Sequence, residues 1–278
     1  MPAASTLSGA SVPDSRTSAA PRRLIVAWQH PGTRAIQPVA LLSFDGRQYQ
    51  FGYIRNALSV EGFRPLLGFD DLHKTYRSDQ LFPMFAQRAM DARRPDFGRY
   101  VASLGLEGEE PEPWEQIARS QGRRQGDTLQ ILPEPEIDGE TLTYRFLVNG
   151  VRHVHEDMLY PDGQELRVTR EEVEAALANL ARGTELNLVC EPLNEKNARA
   201  IIVAGPNATP VGWVPDLLLE DIHRLLSSTD VRVVVEHING PDVPSHMRLL
   251  AAITAEPAAH FRFFTGPKWA ELDPQANQ

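Results

Sequence analysis

Windows of strand length, some alternating apolar and polar with a period of two and some unbroken apolar runs, recur along this chain between short windows that carry the period of a helix. Leu24-Ile25-Val26-Ala27-Trp28 is an apolar run of strand length, ended by a turn at His30-Pro31-Gly32. Residues 39–44 predict a second strand. Asp45-Gly46 is a hairpin signal, and Tyr49, Phe51 and Tyr53 alternate on the return strand. Residues 60–70, with Gly62, Pro65 and Gly68, read as loop. Ser78 or Asp79 is a candidate cap for a short helix with Pro83 in its first turn and Leu81, Phe82, Phe85 and Met90 on its apolar face. Phe97, Tyr100, Val101 and Leu104 mark a further helix closed by Gly105. Residues 113–120 predict another, and residues 122–127 a basic, flexible loop.

The second half is more regular. Residues 132–140, LPEPEIDGE, combine proline and acid and predict a linker. Residues 142–148 form a strand, turned at Asn149-Gly150. Thr169-Arg170-Glu171-Glu172 is a capping box, after which Val173, Ala176, Leu177 and Leu180 line one helical face and Gly183 closes it. Residues 185–190 alternate as a half-buried strand, Glu191-Pro192 breaks it, and 193–199 is a polar loop. Strands follow at 200–203 and 211–214. Pro215 opens a helix carrying Leu217, Leu218, Ile222, Leu225 and Leu226. Residues 231–238 and 248–254 are the last strands, and Phe261-Arg262-Phe263-Phe264 is an edge strand or a packed tail.

The ordered set Glu191-Pro192-Leu193-Asn194, Ala200-Ile201 and Gly212-Trp213-Val214-Pro215 resembles the HIRAN domain. Residues 146–153, FLVNGVRH, resemble that family's first strand and the turn after it. The resemblance covers roughly the second half of the chain. It implies a small OB- or SH3-like β-barrel and, as in helicase-like remodelling ATPases, a grip on the 3′ end of single-stranded DNA. Residues 44–88 resemble, more faintly, the N-terminal region of HipA-type proteins. The expected fold is α+β. A disordered tail (1–22) precedes an N-terminal α+β domain (23–131) and the linker (132–140). A HIRAN-like barrel (141–266) and a C-terminal tail (267–278) complete the chain.

Charge narrows the function. The 278 residues carry 28 Lys and Arg against 37 Asp and Glu, a net charge of −9. Bulk attraction to phosphate is therefore excluded, and any nucleic-acid contact needs a local basic face. Cys190 is the single cysteine, which rules out an internal disulfide and a cysteine zinc cluster; at a strand end it reads as a small buried residue. No apolar run is long enough to span a bilayer, and residues 1–21 lack the apolar core of a secretory signal, so a cytoplasmic protein is expected.

The resemblance places candidate nucleic-acid contacts at Arg152 and His153, a phosphate contact and a stacking ring, and in the loop at Glu191, Asn194, Lys196, Asn197 and Arg199. Where the family has an Asn-Pro and an aromatic-acid pair, this chain has Asn194-Glu195 and Lys196-Asn197. Glu191 suits a buttress, Asn194 and Asn197 suit turns, and Trp213 suits packing as well as stacking. Arg88, Arg93, Arg94, Arg99, Arg119, Arg123 and Arg124 are the densest basic set: a solvated helix face, or a second phosphate-contacting surface. His153 and His155 lack a third ligand for a metal, and no cofactor motif, nucleophile elbow or Walker loop is present. The expectation is a non-catalytic protein binding single-stranded or end-containing DNA in repair or replication. The alternative is a HipA-related protein-interaction or regulatory module with a protein partner.

Overall fold

Four consecutive residues, Leu24 to Ala27, are fully buried. A strand buries successive residues on opposite faces, so both faces of this one are covered. The computed structural model, which describes residues 22–106, 111–124 and 126–272, shows how. The strand is β1 (Arg22–Gln29), joined antiparallel by β2 (Ile36–Phe44), β3 (Tyr49–Tyr53) and the short β4 (Tyr76–Ser78). Three helices follow: α1 (Pro83–Ala86), α2 (Phe97–Ser103) and α3 (Pro113–Ser120). β5 (Leu129–Pro133) then returns to the free edge of β1, giving the order β4-β3-β2-β1-β5.

The second sheet is built from β6 (Glu136–Asp138), β7 (Thr141–Leu147), then, after α4 (Arg170–Ala178), β8 (Glu185–Glu191), β9 (Ala200–Ala204) and β10 (Pro210–Trp213). After α5 (Leu219–Leu226) come β11 (Val231–Ile238) and β12 (Leu249–Ala255). The order is β10-β9-β8-β11-β12-β7-β6, all antiparallel. The chain is thus α+β, as its periodicity predicts. Just past β7, Asn149 and Trp213 exchange two backbone hydrogen bonds of 2.9 Å, so the sheet curls until β10 meets the continuation of β7. Gly150 and Gly212 permit this contact. A Cβ on Gly150 (φ +71°) would lie 2.6 Å from the Trp213 ring, and one on Gly212 would lie 2.5 Å from the Asn149 carbonyl oxygen.

The two sheets share a core. Leu24, Val26 and Leu42 pack with Phe51, Phe69 and Phe85 on one face of the first sheet. Ile25, Ala27, Leu41 and Leu132 on its other face join Tyr144, Phe146, Ile201 and Ile253 of the second. Residues 132–140, expected as a linker, therefore hold the end of β5, β6 and the Gly139 turn of a β6–β7 hairpin. Arg22 already belongs to β1; the rest of the expected N-terminal tail lies outside the described residues. In the expected C-terminal tail, Trp269 is buried and Glu271 bridges Ile54, while 273–278 lie outside the described residues.

Two local expectations need correcting, and one pair of alternatives resolves. The first short helix starts at Pro83 with no side-chain cap, because Ser78 ends β4 instead. Phe261, Phe263 and Phe264 are a buried tail rather than a strand, with Phe263 stacked on Tyr144 at 5.4 Å. Cys190 is exposed. Its neighbour Glu191 is the residue that turns inward, which sends the thiol to the opposite side. The capping box on α4 is present in both directions: Thr169 Oγ1 accepts from the Glu172 amide at 3.2 Å, and Glu172 Oε2 accepts from the Thr169 amide at 2.7 Å. Such a cap contributes about 1 kcal/mol.

Candidate nucleic-acid interface

Pairing of Leu147 with Leu250 puts the turn after β7 and the segment before β12 at one end of the second sheet. Pairing of Trp28 with Leu129 brings the 122–128 loop alongside. Between them lies a groove of about 870 Å³, whose lining includes Arg123, Arg124, Asn149, Arg152, His153 and His246. Arg34 stands on its far rim. Among the described residues the groove is lined by a single carboxylate, Asp127, and that group is already paired with the nearly buried Arg88 and accepts from the Leu129 amide.

Arg152 and His153 sit where the sequence places them, on the turn after β7. The Arg152 Nε–H donates to His153 Nε2 at 2.8 Å. That bond leaves the imidazole proton on Nδ1, facing the Glu156 carboxylate. The same hydrogen bond holds the Glu156 carboxyl below its ordinary range. The ring is thereby fixed by two neighbours, and it orients the guanidinium of Arg152, which makes no ion pair among the described residues. A second hollow of about 470 Å³, lined by Arg170, Arg248, His155 and Glu174 among others, adjoins Arg152 on its other side.

Several polar side chains of the 191–199 loop are engaged with the fold. Glu191 is 1% exposed. Its carboxylate accepts from the Tyr160 amide (2.9 Å), Asn194 Nδ2 (2.7 Å) and Trp213 Nε1 (2.7 Å). Asn194 Oδ1 accepts from the amides of Lys196 and Asn197, and Asn197 Oδ1 from that of Arg199. Lys196 Nζ lies 3.1 Å from Asp157, which ties the loop to the turn bearing Arg152. Glu191, Asn194 and Asn197 thus spend their polar atoms on the fold. Trp213 gives its N–H to Glu191 and lays its ring against Gly150. Arg199 is exposed, with its backbone oxygen bonded by His223. Neither Lys196 nor Asn197 lines the groove that Arg152 faces. The groove is lined further by residues 123–124, 126–130 and 244–246, which sequence reasoning did not join to the turn.

Most of the basic set in the first half is neutralised. Arg88 pairs with Asp127, Arg93 with Asp91, Arg94 with Asp96, and Arg119 lies 3.9 Å from Glu236. Arg123 and Arg124 have no such partner among the described residues. No group of His, Cys, Asp and Glu able to hold a metal is found among those residues, and no described helix is long and apolar enough to cross a membrane.

No family model matches the chain, and no curated protein matches it. Among solved structures, the HIRAN domain of human HLTF is similar to it at 14% identity, covering 43% of this chain and 79% of that one, with a TM-score of 0.26. At that score the fold rests on the strand order described above. The likeness of the first half to HipA-type proteins finds no support in these comparisons.

Proposed function

We propose that the chain is a non-catalytic protein that binds single-stranded nucleic acid, DNA foremost, at the end of the second sheet that carries Arg152. The observation that supports this is Arg152 itself: an exposed guanidinium, oriented by His153, without an ion-pair partner, at the mouth of a groove in which basic groups far outnumber acids. In a chain of net charge −9 such a region gives an anion a local place to bind. The HIRAN-like motif set gives the reading its polymer, and stacking on His153 or on flanking apolar surface suits unpaired bases. Contacts of this kind are local and salt-sensitive.

Specific capture of a 3′ end is the finer part of the proposal. Titration of labelled single strands with free and blocked 3′ ends tests both levels. Binding at low salt that favours the free end supports the whole. Equal binding removes end recognition, and absence of binding at low salt removes the function. A second reading, a protein-interaction module, draws on Leu193, which is 57% exposed at the tip of a loop whose polar atoms are already satisfied. A pull-down that survives nuclease treatment supports that reading.

A further inference from the structure

Among the described residues, Arg123 is a half-buried charge with no acid paired to it. It follows a reversal at Gln121 (φ +56°) and Gly122 (φ +55°), where the Gly122 amide donates to the Ile117 carbonyl at 3.0 Å. A Cβ on Gly122 would meet Ile131 at 2.9 Å, so the reversal is held close against β5. The guanidinium is directed into the groove and held only by neutral amides: Nη2 donates to Gln130 Oε1 at 3.1 Å and to Asn149 Oδ1 at 3.3 Å. Its Nε is buried with no partner.

Burial without a counter-ion pulls the Arg123 pKa below the ordinary arginine value, yet arginine stays charged. His246 lies near enough to Arg123 and Arg152 that burial first, and then those two charges, lower its pKa. Arg34 and Arg124 add exposed charge at the rim, and the groove's one acid is committed to Arg88. A half-buried guanidinium with an orphaned N–H and like charges around it is costly to keep. An arriving anion would offset that cost on every count. Phosphate suits the planar fork of arginine, which can give it two parallel hydrogen bonds.

We propose that Arg123, contributed by the first half of the chain, is the anchor for a phosphate ester in the groove between the two sheets, and that this phosphate belongs to the backbone of a single strand which continues past Arg152. Strand binding rests on the function proposed above; the phosphate seat does not. The groove, of about 870 Å³, is lined from both halves, by Arg34, Arg123 and Arg124 from the first and by Arg152 from the second, and several cations along one groove suit successive phosphates of a polymer better than a lone ion.

The test uses the full chain and a fluorescein-labelled oligothymidylate of about twelve nucleotides, followed by anisotropy as salt rises from about 50 to about 200 mM. Arg123→Gln and Arg152→Ala are each expected to weaken binding about tenfold and to flatten the salt dependence by roughly 0.7, the share of one phosphate contact on a single strand. Arg124→Gln, at an exposed position, gives a smaller loss in the same direction and serves if Arg123→Gln fails to fold. Arg93→Gln, whose partner is Asp91, leaves binding unchanged.

If Arg152→Ala weakens binding while folded Arg123→Gln and Arg124→Gln match the wild type in affinity and slope, the seat is overturned and strand binding stands. If the wild type binds no strand, thymidine monophosphate is titrated against the His246 ring signals. A shift that Arg123→Gln abolishes overturns the strand and supports a seat for a free phosphate monoester. No shift overturns the seat.

Discussion

Exchange of Glu191 for glutamine probes how the end of the second sheet is held. The side chain is almost isosteric, but glutamine has one acceptor oxygen and a donor amide. Three donors converge on the native carboxylate: the Tyr160 amide, Asn194 Nδ2 and Trp213 Nε1. With the glutamine oxygen kept toward Tyr160, its amide faces two groups that can only donate. Flipping Asn194 to present its oxygen would strip the Lys196 and Asn197 amides of their acceptor. Each hydrogen bond to a charged acceptor is worth about 1.5–3 kcal/mol, and a buried orphan donor costs about 1–3 kcal/mol. Two bonds are lost and the partly exposed Asn194 and Trp213 regain some water, so Glu191→Gln should lose about 3 kcal/mol. Urea unfolding followed by circular dichroism measures this. A double-mutant cycle with Asn194→Ala should show coupling above about 1 kcal/mol, because the two side chains share one network. A Glu191→Gln chain within about 0.5 kcal/mol of wild type, with the 192–199 amides still protected from exchange, would refute the network as the element that orders the loop.

Gly212→Ala should cost about 3 kcal/mol in the same assay, since its Cβ would meet the Asn149 carbonyl and Val148 at 2.5 Å and break the bridge that curls the sheet. Arg248, 8% exposed in its side chain, holds Glu174 bidentately at 2.9 and 3.3 Å, and that hydrogen bonding keeps the Glu174 carboxyl below the ordinary glutamate range. A depressed folded pKa gives stability that is present above the unfolded value and lost as pH falls through the folded one. Glu174→Gln should therefore lower the unfolding free energy at pH 7 by roughly 1–2 kcal/mol, given that Glu174 is partly solvated, and flatten the acid limb of the stability curve below the ordinary glutamate pKa. Tyr144→Phe should be neutral or stabilising by up to about 1 kcal/mol, because the Tyr144 hydroxyl is buried without a partner; a loss above that in thermal unfolding would reveal a partner. Cys190 should react with a thiol reagent in the native state, without denaturant.

Local pattern carried the sequence a long way. Alternation marks β7 and β8, a short apolar run marks β9, the capping box marks α4, and the hairpin signal at Asp45-Gly46 joins β2 to β3. The same signal stood at Asp138-Gly139, between Ile137 and Leu142, where it makes the β6–β7 hairpin. Proline and acid in the surrounding residues spoke for a linker, and composition outweighed turn chemistry there. The unbroken burial of Leu24 to Ala27 was written in the sequence as an apolar run, but what covers each face is a long-range fact. The groove was illegible for the same reason. Its walls come from segments around 123, 150 and 246, and nothing in the sequence separates Arg123 from its neighbours in the basic set. Arg88, Arg93, Arg94 and Arg119 differ from it in having an acid within reach. The loop at 191–199 read as a contact surface by resemblance, whereas its Asn and Glu side chains are consumed by one another and by Trp213.

The most direct test of strand binding at the Arg152 end is to map backbone amide shifts of the isotope-labelled chain as a single strand is added at low salt. The account predicts shifts concentrated at residues 123–124, 149–153 and 244–246, with the 192–199 loop moving little. Shifts confined to that loop or scattered over the acidic surface, or no shifts at all, would contradict it.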